Sequence, residues 1–129
     1  MIGYVTLGTN DPQASIKFYD AVMPHLGMTQ KFAQENGWAG YGLPDTPDAD
    51  VEVCICPPIN GEPATNGNGT MIAFRVLSQD HVRAAFEGGM ANGGSSEGEP
   101  GFRPPDGNNF YSAYLRDPTG NKLCVFCLM

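Results

Sequence analysis

The sequence has little positive charge, only two histidines and a single tryptophan. Seven Lys and Arg residues against 14 Asp and Glu residues give a formal net charge of −7. This balance argues against nucleic acid or an anionic membrane surface as a partner, because both bind clustered cations. No hydrophobic run approaches the roughly 18 residues that a membrane span needs, and the first residues lack the pattern of a signal peptide. We therefore expect a cytoplasmic protein.

The length of 129 residues predicts one domain with a substantial hydrophobic core. Its four cysteines are Cys54, Cys56, Cys124 and Cys127, and their paired spacing is similar to that of a zinc site. Both pairs lie in apolar, β-branched segments that predict strands, however. Residues three apart on a strand face opposite sides, so Cys124 and Cys127 cannot easily share one ion. We expect these thiols to be reduced and to act as small buried hydrophobic side chains.

The first half of the chain predicts a strand, a helix and three further strands. The expected elements are a strand at 2–8, a helix from Asn10 or Asp11 to about His25, and strands at 29–34, 38–43 and 51–56. Pro12 suits the first helical position and Gly27 suits the end of the helical segment. Asn36-Gly37 is typical of a hairpin turn.

After a break rich in Pro, Gly and Asn at 57–69, the second half repeats this order. We expect a strand at 70–77, a helix from Ser78 or Asp80, a short strand at 95–97, a loop at 98–109, and a hairpin of strands at 110–116 and 121–128. The spacing that separates Tyr4 from Met71 also separates Gly27 from Gly94. The prediction is module one at about 1–58, a connector at about 59–68 and module two at about 69–129.

Three segments resemble a known family. They are 7–20 (LGTNDPQASIKFYD), 68–74 (NGTMIAF) and 116–123 (RDPTGNKL), and together they resemble the vicinal oxygen chelate superfamily of glyoxalase I, bleomycin-resistance proteins and extradiol dioxygenases. The segment 68–74 fits a subgroup of small bacterial glyoxalase-like proteins. The resemblance implies an α+β fold in which two βαβββ modules form a curved eight-stranded cup with the helices outside. It also implies a homodimer.

The resemblance further implies four metal-ligand positions, and this sequence departs from the family pattern at each of them. The expected His, Glu or Gln, His and Glu are replaced by Tyr4, Cys54, Met71 and Cys124, with Glu52 on the same face as Cys54. A hard divalent ion needs imidazole and carboxylate ligands. We therefore expect neither metal nor cofactor, although Cys54, Met71 and Cys124 would form a soft ligand set suited to Cu(I).

Two functions remain open. One is a binding protein that holds a small organic molecule in the cup, and the other is a lyase or isomerase acting on a small carbonyl compound or thiol adduct. An enzyme would need a titratable group in the cup, and Glu52 is the candidate general base, although an exposed glutamate at the strand edge is the favoured interpretation. A binding protein would use the aromatic side chains of Trp38 and Tyr114. The other residues expected to contact the ligand are Tyr4, Cys54, Met71 and Cys124.

Three further polar residues have simple structural interpretations. His25 and His81 fall at the ends of the two predicted helices, away from the cup strands. Arg116 shares a strand face with Tyr114 and could bind an anion, but capping of the hairpin through Asp117 is the favoured interpretation.

Overall fold

The computed structural model describes all 129 residues and contains eight strands and two α-helices. Module one consists of β1 (Val5–Gly8), α1 (Pro12–Val22), a short 3-10 helix (Met23–Leu26), β2 (Thr29–Ala33), β3 (Ala39–Gly42) and β4 (Val53–Cys56). Module two consists of β5 (Ile72–Arg75), α2 (Gln79–Ala91), β6 (Ser95–Phe102), β7 (Phe110–Arg116) and β8 (Lys122–Leu128). The predicted α+β fold of two βαβββ modules is confirmed. Neither helix has the length and hydrophobicity that crossing a bilayer requires.

The eight strands form two four-stranded sheets with the same topology. The strand order is β1-β4-β3-β2 in module one and β5-β8-β7-β6 in module two. In each sheet the first strand runs parallel to the last strand of its module, and the other neighbours are antiparallel. The repeat of elements predicted from the sequence is therefore a repeat of sheet topology as well.

The helix boundaries follow from local capping. Asp11 accepts a hydrogen bond from the Ala14 N–H at the start of α1, and Ser78 does the same for α2. The α-helical part of the first helix ends at Val22, earlier than predicted, and a 3-10 helix follows. Pro24 accounts for this change, because it has no N–H to donate to the preceding turn of an α-helix. Gly27, with φ +79°, then ends the helical segment as predicted.

One strand is longer than the sequence predicts. β6 continues through Gly98, Pro100 and Gly101 to Phe102, where a loop was expected, with register shifts on both sides of Gly98. A proline without N–H is tolerated here because β6 is an edge strand with a bulge. The other seven strands lie within their predicted ranges.

The two modules share one hydrophobic core. Twenty buried side chains from both sheets and both helices form a single cluster. The helices contact each other closely, since a Cβ at Gly89 of α2 would lie only 3.0 Å from the Phe18 ring of α1. The buried Tyr19 hydroxyl donates a 2.7 Å hydrogen bond to Asp117, in the turn between β7 and β8. This contact ties the first helix to the last hairpin.

Alternation along the strands separates a core face from a face that carries no helix. On β4, Val53 and Ile55 belong to the core cluster, whereas Cys54 and Cys56 do not. On β8, Cys127 belongs to the core and Cys124 does not, so the two thiols face opposite sides as expected. The helix-free side of each sheet is called its open face. It is defined by Thr6, Gly40, Cys54 and Cys56 in module one, and by Ser112, Tyr114, Arg116, Lys122 and Cys124 in module two.

Candidate ligand-binding sites

A cavity of about 500 Å³ lies on the open face of module one. Its strand side is formed by Thr6, Gly8 and Cys56, with the half-buried Trp38 at the start of β3. Its other side is the connector between residues 57 and 65, which contributes three prolines. The volume falls within the range of about 300–1,000 Å³ that is typical of small-molecule pockets.

Local interactions hold the connector against the sheet. The Asn10 side chain donates to the Ala64 carbonyl at 3.1 Å and accepts from the Ala64 N–H at 2.6 Å. Gly8 allows this approach, because a Cβ there would lie 2.9 Å from the Ala64 Cβ. Gly37, at φ +93°, forms the turn that presents Trp38, and a side chain on Gly37 would meet Pro57. The Gly and Pro residues that marked a break in the sequence therefore form the wall of a cavity.

The open face of module two carries a different set of groups. The ring centroid of Tyr114 lies 5.6 Å from the Arg103 guanidinium and 5.9 Å from the Lys122 ammonium. The Tyr114 hydroxyl lies 3.4 Å from the Ser112 hydroxyl. Cys124 is the direct cross-strand neighbour of Tyr114. Two cations, two hydroxyls and a thiol therefore converge on one face.

Burial dominates the acidity of the thiols on both open faces. Burial raises the pKa of Cys124, while the Tyr114 hydroxyl and the charges of Arg103 and Lys122 partly oppose this effect. Burial also raises the pKa of Cys54, with no such opposition. Both thiols are protonated at neutral pH, which makes them poor nucleophiles.

The structure brings together only some of the side chains predicted to form a site. Trp38 lines the cavity, and Tyr114 and Cys124 are neighbours on module two. Tyr4, just before β1, is 58% exposed and Met71, just before β5, is 39% exposed. Cys54 is buried on the open face of module one, beside Thr6 and Gly40 in the register.

Glu52 is exposed and lies just outside the first residue of β4. Its backbone accepts from the Val5 N–H and donates to the Tyr41 carbonyl. The carboxylate therefore has none of the burial on which the proposed role as general base depended.

Arg116 contacts its own hairpin. Its Nη1 donates to the Gly120 carbonyl at 2.9 Å, and its Nε lies 2.7 Å from Glu97 Oε1. The favoured structural role holds, but with Gly120 and Glu97 as partners. Asp117 instead accepts from the backbone N–H groups of the turn.

Arg103 is the main residue that sequence reasoning missed. It follows β6 directly, in a segment that was predicted as a loop because of its Gly and Pro content. Gly98 and Gly101 precede this arginine, and glycines on an edge strand mark a close approach of another group, but only the structure shows that the segment is a strand. His25 and His81 lie at the end of the 3-10 helix and in the first turn of α2, away from the strands.

The comparisons with known proteins identify the family. The model of the Glyoxalase/Bleomycin resistance protein/Dioxygenase superfamily matches residues 1–125. The chain belongs to this superfamily. A glyoxalase/bleomycin resistance protein from Albidiferax ferrireducens T118 is 39% identical over 98% of both chains, with a TM-score of 0.83.

Two more distant members of the glyoxalase group share the fold. A glyoxalase-related enzyme from Fulvimarina pelagi is 22% identical over 98% of this chain and 87% of its own, with a TM-score of 0.74. A glyoxalase/bleomycin resistance protein/dioxygenase family enzyme from Burkholderia phytofirmans PsJN is 19% identical over 99% and 98%, with a TM-score of 0.70. The comparison with curated proteins finds no match.

The metal that the glyoxalase superfamily implies does not fit the residues of this chain. The implied ligand positions carry a phenol, a thioether and two protonated thiols, namely Tyr4, Met71, Cys54 and Cys124. No three His, Cys, Asp or Glu side chains are grouped closely enough to hold a metal ion. Hard divalent cations prefer carboxylate and imidazole ligands. The soft set of the Cu(I) hypothesis is divided between two sheets, with Cys54 in one and Cys124 in the other.

Proposed function

We propose that this glyoxalase-superfamily protein binds a small organic molecule in the cavity on the open face of module one, without the divalent-metal centre of metal-dependent family members. The observation that carries this proposal is the cavity of about 500 Å³ beside Trp38. A cavity of this volume with aromatic and apolar walls is typical of sites that enclose a small ligand.

The lining of the cavity indicates what kind of surface it would accept. None of its eleven lining residues is charged. Trp38 supplies one flat wall, and Pro57, Pro58 and Pro63 supply rigid apolar surface on the connector side. A neutral, flat ligand or ligand portion suits these walls, because it would bury apolar area without leaving an unpaired charge.

Binding is favoured over the alternative activity as a lyase or isomerase. Proton transfer needs a positioned group that titrates near the working pH. Glu52 is exposed, and burial keeps Cys54 and Cys124 protonated. Both histidines lie at helix ends. If the protein were nevertheless an enzyme, Glu52→Gln or Cys124→Ser would abolish turnover while leaving ligand binding intact.

The single tryptophan makes the proposal directly testable, because its fluorescence reports on the cavity alone. We expect neutral aromatic compounds such as 2-naphthol to change Trp38 emission in a saturable way. Trp38→Ala should weaken binding of the same compound about tenfold by calorimetry. Leu77→Ala, which removes an exposed apolar side chain outside the cavity, serves as the control. Equal affinity of Trp38→Ala and the wild-type protein would overturn the proposal.

The metal-free part of the proposal has its own test. Tag-free protein would be analysed by elemental mass spectrometry as purified, and after incubation with divalent metals or Cu(I) followed by dialysis. We expect no stoichiometric metal under any condition. One retained copper ion per chain, lost in Cys54→Ser or Cys124→Ser, would instead establish the soft site.

We also propose a homodimer, as the family resemblance implies. Four large apolar side chains near the open faces and strand ends are between 39% and 58% exposed: Tyr4, Leu43, Met71 and Leu128. Exposed apolar surface of this kind often marks a protein contact. Light scattering should give twice the chain mass of 13.8 kDa. A chain mass that stays at the monomer value at all concentrations would exclude the dimer.

A further inference from the structure

The open face of module two is positively charged in a chain that is otherwise acidic. Three of the seven basic residues lie on it: Arg103, Arg116 and Lys122. Arg116 is neutralised by Glu97 at 2.7 Å. The only other ion pair in the chain joins Arg83 and Asp80, so Arg103 and Lys122 have no carboxylate partner. Their charges are available to a ligand.

The backbone holds the Arg103 guanidinium in place without neutralising it. Its Nη2 donates to the Glu99 carbonyl at 2.7 Å and its Nη1 to the Phe102 carbonyl at 3.3 Å. A Cβ at Gly98 would lie 3.1 Å from Nη2, and one at Gly101 would lie 3.0 Å from Nη1. The two glycines thus leave the space in which the guanidinium lies. Three of its five N–H groups remain free for a ligand.

The Lys122 ammonium, on β8, lies near the same Tyr114 ring. Both it and the Arg103 guanidinium lie within 6 Å of the Tyr114 ring centroid. Bringing like charges together costs electrostatic energy, which a bound anion would recover. The Tyr114 hydroxyl, which accepts from the buried Ser112 hydroxyl, can donate a further hydrogen bond. Both cations also lower the pKa of the buried Cys124 thiol against the effect of burial, so their field extends to the floor of this face.

We propose that the open face of module two is a binding site for a small organic oxyanion, a carboxylate or phosphate ester, held between Arg103 and Lys122 beside the Tyr114 ring. A guanidinium presents parallel donors to two oxygens of such a group, and the ammonium adds a point charge. The ring supports a planar part of the ligand. The site is separate from the uncharged cavity at Trp38, and it goes beyond the binding function proposed above.

The test is a titration followed by two-dimensional amide NMR. The probes are benzoate and phenyl phosphate, with benzyl alcohol as a neutral compound of similar size. We expect both anions, but not the alcohol, to shift the amide signals of β7 and β8. The tighter of the two anions identifies the carboxylate or the phosphate as the preferred group. The affinity should fall as sodium chloride is added, because salt screens the two cations.

Variants that each remove one positive charge identify the residues that bind the anion. Arg103→Gln and Lys122→Gln should each weaken anion binding about tenfold, the usual loss for a hydrogen bond to a charged group. Lys17→Gln removes the same charge from an exposed position on α1 and should bind like the wild-type protein. If Arg103→Gln disturbs β6, Lys122→Gln still decides the question, because Lys122 has no ion-pair partner in the chain.

Three results would overturn the proposal: no shift with either anion, equal shifts with benzyl alcohol, or equal losses in Lys17→Gln and Lys122→Gln. The Trp38 fluorescence titration with a neutral compound uses a different probe on a different sheet. Failure of the anion site would therefore leave the proposed function standing. Failure of the Trp38 titration would equally leave the anion site to be judged on its own result.

Discussion

Module one and module two fold the same five elements in the same order, yet their open faces differ in chemistry. The first presents Trp38, Thr6 and cysteine thiols, with a proline-rich connector over them and no charged side chain in the cavity. The second presents Tyr114 with Arg103 and Lys122 beside its ring. The core faces of both sheets are alike, being lined by aliphatic and aromatic residues that contribute to one cluster. The shared topology therefore requires apolar side chains on the core face of each sheet, whereas the side chains on the open faces can differ in chemistry.

The difference between the faces has a local physical cause. The connector leaves β4 directly and is held near β1 by Asn10 and Ala64, so residues 57–65 form a wall over the open face of module one. In module two the edge strand β6 is long and bulged, and its glycines leave space for the Arg103 guanidinium. Module one therefore has a cavity wall formed by the connector, and module two has the positive charge of Arg103 on its open face.

The largest effect is expected at the contact that the modules share. Asp117 is buried and accepts hydrogen bonds from Tyr19, from the Asn121 side chain and from three backbone N–H groups of its turn. Asp117→Ala leaves these donors without a partner and should lower the free energy of unfolding by about 3 kcal/mol or more. Urea denaturation measures the loss, with the exposed Asp106→Ala as control. Equal stability of the two variants would contradict this role, and two separate transitions would show that the modules unfold independently.

The second prediction concerns the pH dependence of stability, through Tyr19 in the shared core and the four buried thiols. Burial, followed by the charge of Asp117, raises the pKa of Tyr19, and burial raises the pKa of all four thiols. The unfolded chain therefore loses these protons first, from about pH 8.5 for thiols and about pH 10 for phenols. In that range the folded state binds more protons, so the free energy of unfolding should fall as the pH rises.

The size of this fall is about 1.4 kcal/mol per pH unit for each group that stays protonated in the folded state. Urea titrations between pH 7 and pH 11 would measure it. Tyr19→Phe should remove part of the fall above about pH 10 while leaving the part that begins near pH 8.5. A stability that is constant from pH 8 to pH 11 would contradict the prediction.

The third prediction compares the removal of one aromatic side chain from each of the two open faces. Trp38→Ala should weaken the binding of a neutral aromatic compound about tenfold and leave benzoate binding unchanged, because its cavity has no charged lining. Tyr114→Ala should have the opposite pattern, since both cations lie within 6 Å of its ring centroid. Calorimetry of both ligands with both variants gives a two-by-two comparison. Equal losses in all four combinations would mean that the two faces form one site.

Much of the scaffold could be predicted from the sequence because its signals are local. Asp11 and Ser78 cap the two helices, Gly27 ends the first helical segment, and the alternating burial of β4 and β8 follows from strand geometry. The candidate site was harder to predict from the sequence. Trp38 and Tyr114 could be selected as candidates, but the enclosing role of the connector depends on contacts between residues far apart in sequence, such as Asn10 with Ala64.

Arg103 shows why the remainder could not be predicted. Its neighbours Gly98, Pro100 and Gly101 disfavour a strand by intrinsic propensity, and only pairing with β7 makes this segment a strand. Glu52 lies at a strand boundary: the alternation of β4 places it on the face of Cys54, but it lies just before that strand begins and is exposed. Propensity and alternation give the face of a residue well inside a strand, and they are least dependable at strand ends and bulges.

The smallest expected effect is a change in anion affinity, in a variant that makes the open face of module two more positive. Glu97 pairs with Arg116 and also lies close enough to Lys122 for their charges to interact. Glu97→Gln removes the only paired carboxylate from the open face of module two and should raise the affinity for benzoate about twofold, in line with the modest strength of exposed ion pairs. Glu87→Gln makes the same change in net charge on α2 and should leave the affinity unchanged. The gain should disappear at high salt, because screening removes it. A lower affinity in Glu97→Gln would mean instead that this carboxylate holds Arg116 in a position where it contacts the anion, which would make Arg116 a third cation of the site.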